Sequence, residues 1–142
     1  MKKYVVLKLI GLAILTMITL VIISILEVTL YSYVINPGHE NDVYEAHAEF
    51  SAPYISGIFG FIVFFLIARY WKKKGYQNLF KLVILFPLTY VLLDLLIILL
   101  IGNVQWRDFI LIFILANGAK FLGSYLGYKL TQDSSLESGT DS

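Results

Sequence analysis

The fold is decided by an uncharged apolar stretch near the start of the chain, residues 9–26, which reads LIGLAILTMITLVIISIL. A helix of roughly 20 apolar residues crosses a bilayer core about 30 Å thick. Three further stretches have a similar length and at most one charge each: residues 50–68, residues 82–106 with Asp94, and residues 109–128 with Lys120. The chain is therefore predicted to cross a membrane four times.

The composition supports this interpretation, because 58% of the 142 residues are hydrophobic and only 15% are charged. A soluble domain of this length cannot bury so much apolar surface in one core. The continuous apolar runs also differ from the alternating segments of a transmembrane barrel. We predict an all-α membrane protein in which residues 1–130 form a four-transmembrane-helix bundle, with spans near 5–33, 53–71, 79–101 and 108–130.

The basic residues predict the orientation of the bundle. The connection of residues 36–53 contains no Lys or Arg, and the third connection contains only Arg107. The other side carries Lys2, Lys3, Lys8, Arg69, Lys72, Lys73, Lys74, Lys81 and Lys129. Short loops rich in Lys and Arg stay in the cytoplasm. Both termini are therefore predicted to be cytoplasmic, with the chain in the cytoplasmic membrane of a cell.

The outer loop, residues 36–52, is the longest polar connection between two spans. It opens with the turn signal Asn36-Pro37-Gly38. Asp42, followed three residues later by Glu45, resembles a capping box. This pattern predicts a short helix over residues 43–50 on the outer surface, before the second span begins at Pro53. Tyr44, His47 and Ser51 would share one of its faces.

Two further polar features lie outside the spans. His39 and His47 stand among acidic residues in the outer loop, and they are candidates for a metal site or a pH-responsive site. An ordinary acidic loop is the simpler interpretation, because the spacing matches no established metal site. The tail, residues 131–142, is mostly Ser, Thr and acidic residues, and we expect it to be disordered in the cytoplasm.

Polar residues inside the spans are the main candidates for a functional site. Charges near the middle of a bilayer are costly, so they usually face a partner or water. The candidate cluster comprises Glu27, Asp94, Asn117 and Lys120, and a direct ion pair between Asp94 and Lys120 is the simplest arrangement. Two interpretations stay open: these residues fix the order of the helices, or they line a cavity for an ion, a proton or a polar substrate.

Small residues recur at intervals of one helical turn in two spans. Ser56 and Gly60 have this spacing in the second span, and Ala119, Gly123 and Gly127 have it in the fourth. Such residues permit the backbones of two helices to approach closely. They predict helix packing, either within one chain or between two copies.

No catalytic motif is present, and the absence of cysteine excludes disulfides and thiol chemistry. We therefore expect no enzymatic activity, no cofactor and no nucleic-acid partner. The leading hypothesis is an accessory or assembly subunit of a larger membrane complex. The alternative is a small homo-oligomeric transporter or channel for ions or protons that uses Asp94, Lys120 and Glu27. In plan, four short spans with an acidic residue in the first resemble the small multidrug transporters, but no motif is shared.

Overall fold

A computed structural model describes residues 3–102 and 106–131. Within these ranges the regular secondary structure consists of helices, and no strand is present. The four helices are α1 Lys3–Leu30, α2 Asn41–Lys73, α3 Leu79–Ile101 and α4 Trp106–Lys129, and a π-helical turn, Tyr31–Ile35, continues α1. Each helix is long and apolar enough to cross a membrane. The prediction of an all-α protein with four such helices is confirmed. The predicted tail lies outside the described residues, except for Thr131.

Glycines end two of the helices at positions that need a positive φ. Gly75 follows α2 with φ +64°, and its N–H donates to the Lys72 carbonyl. Gly102 follows α3 with φ +79°, and its N–H donates to the Ile98 carbonyl at 3.3 Å. Side chains with a Cβ rarely adopt this conformation, so glycine allows the chain to turn back immediately after each helix.

The prediction of a separate outer-surface helix at residues 43–50 is wrong, because these residues form the first turns of α2. That helix runs without interruption through Pro53. Pro53 removes one backbone hydrogen bond from α2, but no other Pro or Gly interrupts the sequence between Asn41 and Pro53. The Asp42 carboxylate accepts the neighbouring Val43 N–H at 2.9 Å, so it does not form the expected capping box with Glu45.

The two ends of the bundle differ in composition, and we name them accordingly. The loop end carries the α1–α2 and α3–α4 connections. The lysine end carries the start of α1, the α2–α3 connection and the end of α4. Helices α1 and α3 run toward the loop end, whereas α2 and α4 start there. At about 1.5 Å per residue, the 33 residues of α2 span roughly 50 Å, which exceeds the thickness of the bilayer core.

Helices α2 and α4 make the closest contact in the bundle. A Cβ placed on Gly123 would collide with the backbone carbonyl of Phe61, and a Cβ on Gly127 would collide with that of Phe65. Nearer the loop end, Gly57 faces the backbone of Ala116. Glycine at positions 123 and 127 therefore permits direct contact between the two helix backbones.

The half of the bundle nearest the lysine end has a packed aromatic core. Phe64 stacks on Phe86 with 4.4 Å between ring centroids, and it meets the edge of Tyr90 at 5.4 Å. Trp71 closes the cluster against Phe86 at 5.5 Å. Helix α1 covers this core with residues spaced by about one turn, namely Leu9, Ala13, Thr16 and Leu20, all of them buried. This region is the packed half of the bundle.

The half nearest the loop end is open in comparison. At 3.6 residues per turn, Asp94, Ile97 and Ile101 continue the inner face of α3 that buries Val83 and Tyr90. Ile97 and Ile101 are nevertheless 46% and 68% exposed. Among the described side chains, Ser51 is the one buried residue in this half. The inner faces of α1, α3 and α4 therefore lack a packed core here, and we call this region the open half.

Replacing Gly123 with Ala should destabilise the protein, because the new methyl group would push α2 away from α4. We expect the free energy of unfolding to fall by about 1–3 kcal/mol, the typical cost of overpacking. Gly118→Ala is the matched control, since nothing lies within 4 Å of a Cβ at that position on the same helix. Denaturation in detergent micelles measures both variants, and equal stabilities for the two would contradict this account of the interface.

Candidate functional site

The Lys120 side chain packs against α2 at the boundary between the packed and open halves. Its side chain is fully buried, and the stem lies against Gly60, where a Cβ would come within 2.9 Å of the Lys120 carbons. One turn farther toward the loop end, the Ser56 hydroxyl accepts a hydrogen bond from Nζ at 2.9 Å. The small residues of α2 therefore accommodate a lysine. Gly60 has no side chain and so leaves space for the aliphatic part of Lys120, and the Ser56 hydroxyl accepts a hydrogen bond from the ammonium group.

Residues of α3 and α4 complete the environment of the ammonium group. Lys120 Nζ donates to the Asn117 side-chain oxygen at 3.3 Å and to the Ala116 carbonyl at 3.4 Å. It also lies 4.8 Å from the centroid of the Tyr90 ring, within the range of a cation–π interaction. With Ser56, these groups surround a charge that lipid alone would not solvate.

The expected direct ion pair between Asp94 and Lys120 is not formed. No pair of their charged atoms lies within 4 Å, and Asn117 stands between the two residues. The Asn117 side-chain N–H donates to Asp94 Oδ2 at 3.4 Å and to the Phe113 carbonyl at 3.0 Å, while its oxygen accepts from Lys120. Lys120 prefers the closer acceptors on α2 and α4, because Gly60 directs its stem toward Ser56. We call Ser56, Tyr90, Asp94, Asn117 and Lys120 the polar layer.

Asp94 differs from Lys120 in its exposure. It lies on the inner face of α3 at the level where the open half begins, and its side chain is only half-buried. The structure gives its carboxylate one hydrogen bond, the 3.4 Å contact with Asn117. Asp94 therefore presents a weakly engaged carboxylate to the open half.

The fourth predicted member of the cluster, Glu27, lies apart from the polar layer. It bridges α1 and α2: one carboxylate oxygen is 2.7 Å from His47 Nε2, and the other accepts the Ser51 hydroxyl at 2.8 Å. The Tyr31 ring stacks on the His47 ring, with 3.6 Å between centroids and 3° between planes. These four residues form a clasp between α1 and α2 in the open half.

The clasp continues into the α1–α2 connection. The Tyr44 hydroxyl donates to the Asn36 carbonyl at 3.0 Å and accepts the His39 backbone N–H at 3.0 Å. The Asn36 side chain donates to the Tyr31 hydroxyl at 3.2 Å. Tyr44, His47 and Ser51 do share a face of the helix, as the sequence predicted, and that face secures the connection to α1.

The two candidate metal ligands do not converge. His47 belongs to the clasp, whereas His39 donates a hydrogen bond from its backbone N–H to the Tyr44 hydroxyl. Within residues 3–102 and 106–131, no group of three or more His, Cys, Asp or Glu side chains is arranged to hold a metal ion. The geometry thus favours a structural role for His47 between Glu27 and Tyr31.

An open groove of about 620 Å³ lies on the outside of the α2–α4 pair. Its walls are apolar and include Pro53, Gly57, Ala116 and Ala119. Of the small residues that predicted helix packing, Gly123 and Gly127 contact α2 within the chain, while Ser56 and Gly60 hold Lys120. Ala119 instead faces this groove.

The structure also adds residues that the sequence analysis did not single out for a site. Tyr90 belongs to the polar layer, and Tyr31 stacks within the clasp. Ser51 was placed on the right face, but its contact with Glu27 was not foreseen. The helical spacing in the sequence places Tyr90 one turn before Asp94 and Tyr31 one turn after Glu27, but it does not predict their contacts.

Comparisons of the chain with protein-family models, with curated proteins and with solved structures find no match.

Replacing His47 with Ala should loosen the contact between α1 and α2. The change removes a hydrogen bond to a carboxylate and the stacked partner of Tyr31, so we expect a loss of about 1–3 kcal/mol in unfolding free energy. His39→Ala removes the same side chain from a position without such contacts and serves as the control. Thermal unfolding in detergent compares the two, and a His47 variant as stable as the His39 variant would refute the clasp.

Proposed function

We propose that this chain is a non-catalytic accessory subunit of a larger membrane complex. The observation that carries the proposal is the contrast between the two halves of the bundle. The packed half has an aromatic core, whereas inner-face residues of the open half, such as Ile97 and Ile101, remain substantially exposed. Association with another membrane protein would supply the missing packing for these faces.

The polar layer supports a structural role within this subunit. No buried side-chain nitrogen or oxygen among the described residues lacks a hydrogen-bond partner. Lys120 is held by Ser56, Asn117 and the Ala116 carbonyl, and the aromatic core fills the space on its lysine side. Satisfied polar groups of this kind fix the order and rotation of membrane helices.

We further propose that the lysine end faces the cytoplasm of a cell and that both termini lie on that side. The support is the uneven distribution of basic residues. Lys72 and Lys73 end α2, Lys129 ends α4, and the α1–α2 connection contains no Lys or Arg. This asymmetry is typical of proteins inserted according to the positive-inside rule.

A second candidate function, transport of an ion or proton by a homo-oligomer, is favoured by a different observation. Glu27 shares the helical face of Leu9, Ala13 and Leu20 on α1, and Asp94 shares the inner face of α3. Two carboxyl groups thus occupy inner faces of the open half, and carboxylate oxygens are groups that attract a cation or accept a proton. In this second candidate function, the open half would form a water-filled entrance that ends at the buried Lys120.

Purification from the native membrane in mild detergent distinguishes the two functions. The accessory role predicts a particle in which a second membrane protein is present in fixed stoichiometry. The measurements are the mass of the particle by light scattering and the identity of its components by mass spectrometry. The complex should also persist at detergent concentrations that separate unrelated membrane proteins.

A particle containing only copies of this chain would overturn the accessory role and favour transport. In that case Asp94→Asn and Glu27→Gln should abolish proton-coupled flux in vesicles, measured on particles that keep the helical content and the mass of the wild type. Asp42→Asn is the matched control for both variants, because Asp42 lies near the start of α2, outside the packed bundle.

A further inference from the structure

We propose that the open half binds a transmembrane helix of another protein, and that a basic side chain on that helix meets Asp94. The proposal rests on the accessory role and specifies its contact site. It combines two observations: a half-buried carboxylate inside a span, and an inner face of α3 that continues past this carboxylate without being covered.

Among the side chains that the structure describes, no Lys, Arg or His forms an ion pair with the Asp94 carboxylate within 4 Å. The carboxylate accepts one long hydrogen bond, 3.4 Å from Asn117, and no ion pair joins it to Lys120. Lys120 itself is fully buried and has three hydrogen-bond acceptors of its own. An ionised acidic group at this depth in a membrane normally faces a group of opposite charge or water, and the single long hydrogen bond from Asn117 supplies neither. A basic residue on an added helix would supply that group.

A second copy of this chain is a poor match for the same position. Apart from Lys120, the Lys and Arg residues whose side chains are described belong to the lysine end, from Lys8 on α1 to Lys129 on α4. Two copies that associated through their open halves would bring Asp94 toward Asp94, and the described side chains of the second copy include no exposed cation at that depth. Charge complementarity therefore indicates a different protein.

The surface around Asp94 suits a helix better than a polar solute. On the loop side of Asp94, the inner face of α3 presents Ile97 and Ile101, which are 46% and 68% exposed. On α4, the corresponding stretch contains the apolar residues Phe109, Ile110 and Phe113. On the α3 and α4 side of the open half, Asp94 is thus one carboxyl group within an apolar surface, the pattern expected where one polar residue of a membrane helix is recognised.

A model helix tests this inference directly. The purified full-length chain, carrying Ile101→Cys, is reconstituted in phosphatidylcholine vesicles with a Leu-rich transmembrane peptide. The peptide has one central Arg and a cysteine seven residues to either side of it, so that one cysteine reaches the level of Ile101 in either orientation. The chain has no native cysteine, so disulfide formation reports contact at the chosen position.

We expect cross-linking to Ile101→Cys that falls about tenfold when the peptide Arg is replaced by Leu, since an interhelical polar contact contributes roughly 1–2 kcal/mol. Adding Asp94→Asn to the protein should cause a similar loss, whereas adding Asp42→Asn should not. Leu99→Cys is the positional control: Leu99 is 59% exposed but lies on the opposite face of α3, so it should give only background cross-linking.

Equal cross-linking of the Arg and Leu peptides would overturn the inference, as would equal yields at positions 101 and 99. The peptide comparison leaves the protein unchanged, so it remains decisive even if Asp94→Asn impairs folding. If a stoichiometric partner is found in native membranes but the Arg and Leu peptides cross-link equally, the accessory role stands and Asp94 is not the site at which the partner binds. Selective binding of the Arg peptide without a native partner would instead remove the accessory role.

Discussion

The burial of the Lys120 ammonium group is the constraint on which the rest of the structure depends. A charge inside a membrane bundle must be surrounded by acceptors, and the chain supplies them from neighbouring helices. Gly60 clears a path for the stem, Ser56 accepts at 2.9 Å, and Asn117 connects the ammonium group to Asp94. Because these contacts require α2, α3 and α4 at one level, they fix the rotation and height of three helices together.

The polar layer also separates two regions with different properties. On its lysine side, Phe64, Phe86 and Trp71 fill the interior, and glycines bring α2 against α4. On its loop side, polar contacts replace the core: the clasp of Glu27 and His47 joins α1 to α2, while the inner face of α3 remains exposed. A bundle that is complete in one half and incomplete in the other suits a protein that associates with another.

The sequence predicted the parts of the fold that depend on local pattern. The length of the apolar runs predicted four helices, and the bounds of α3 agree with the structure. The start of α2 was misjudged, because Pro53 resembles the first residue of a helix whereas here it lies within one. The partners of Lys120 and Glu27 could not be predicted from the sequence. They depend on how each helix is rotated about its axis and on which glycines lie at the contacts between helices, and both are set by tertiary packing.

The most direct test of this account is the unfolding free energy of Lys120→Met in detergent micelles, compared with that of Lys129→Met. Both changes remove a lysine from α4, but Lys129 is exposed at the end of the helix. Loss of one member of a buried charged network typically costs about 3–5 kcal/mol. We predict a loss of that size for Lys120→Met and almost none for Lys129→Met. If Lys120→Met proves as stable as the wild type, the polar layer does not hold the bundle together.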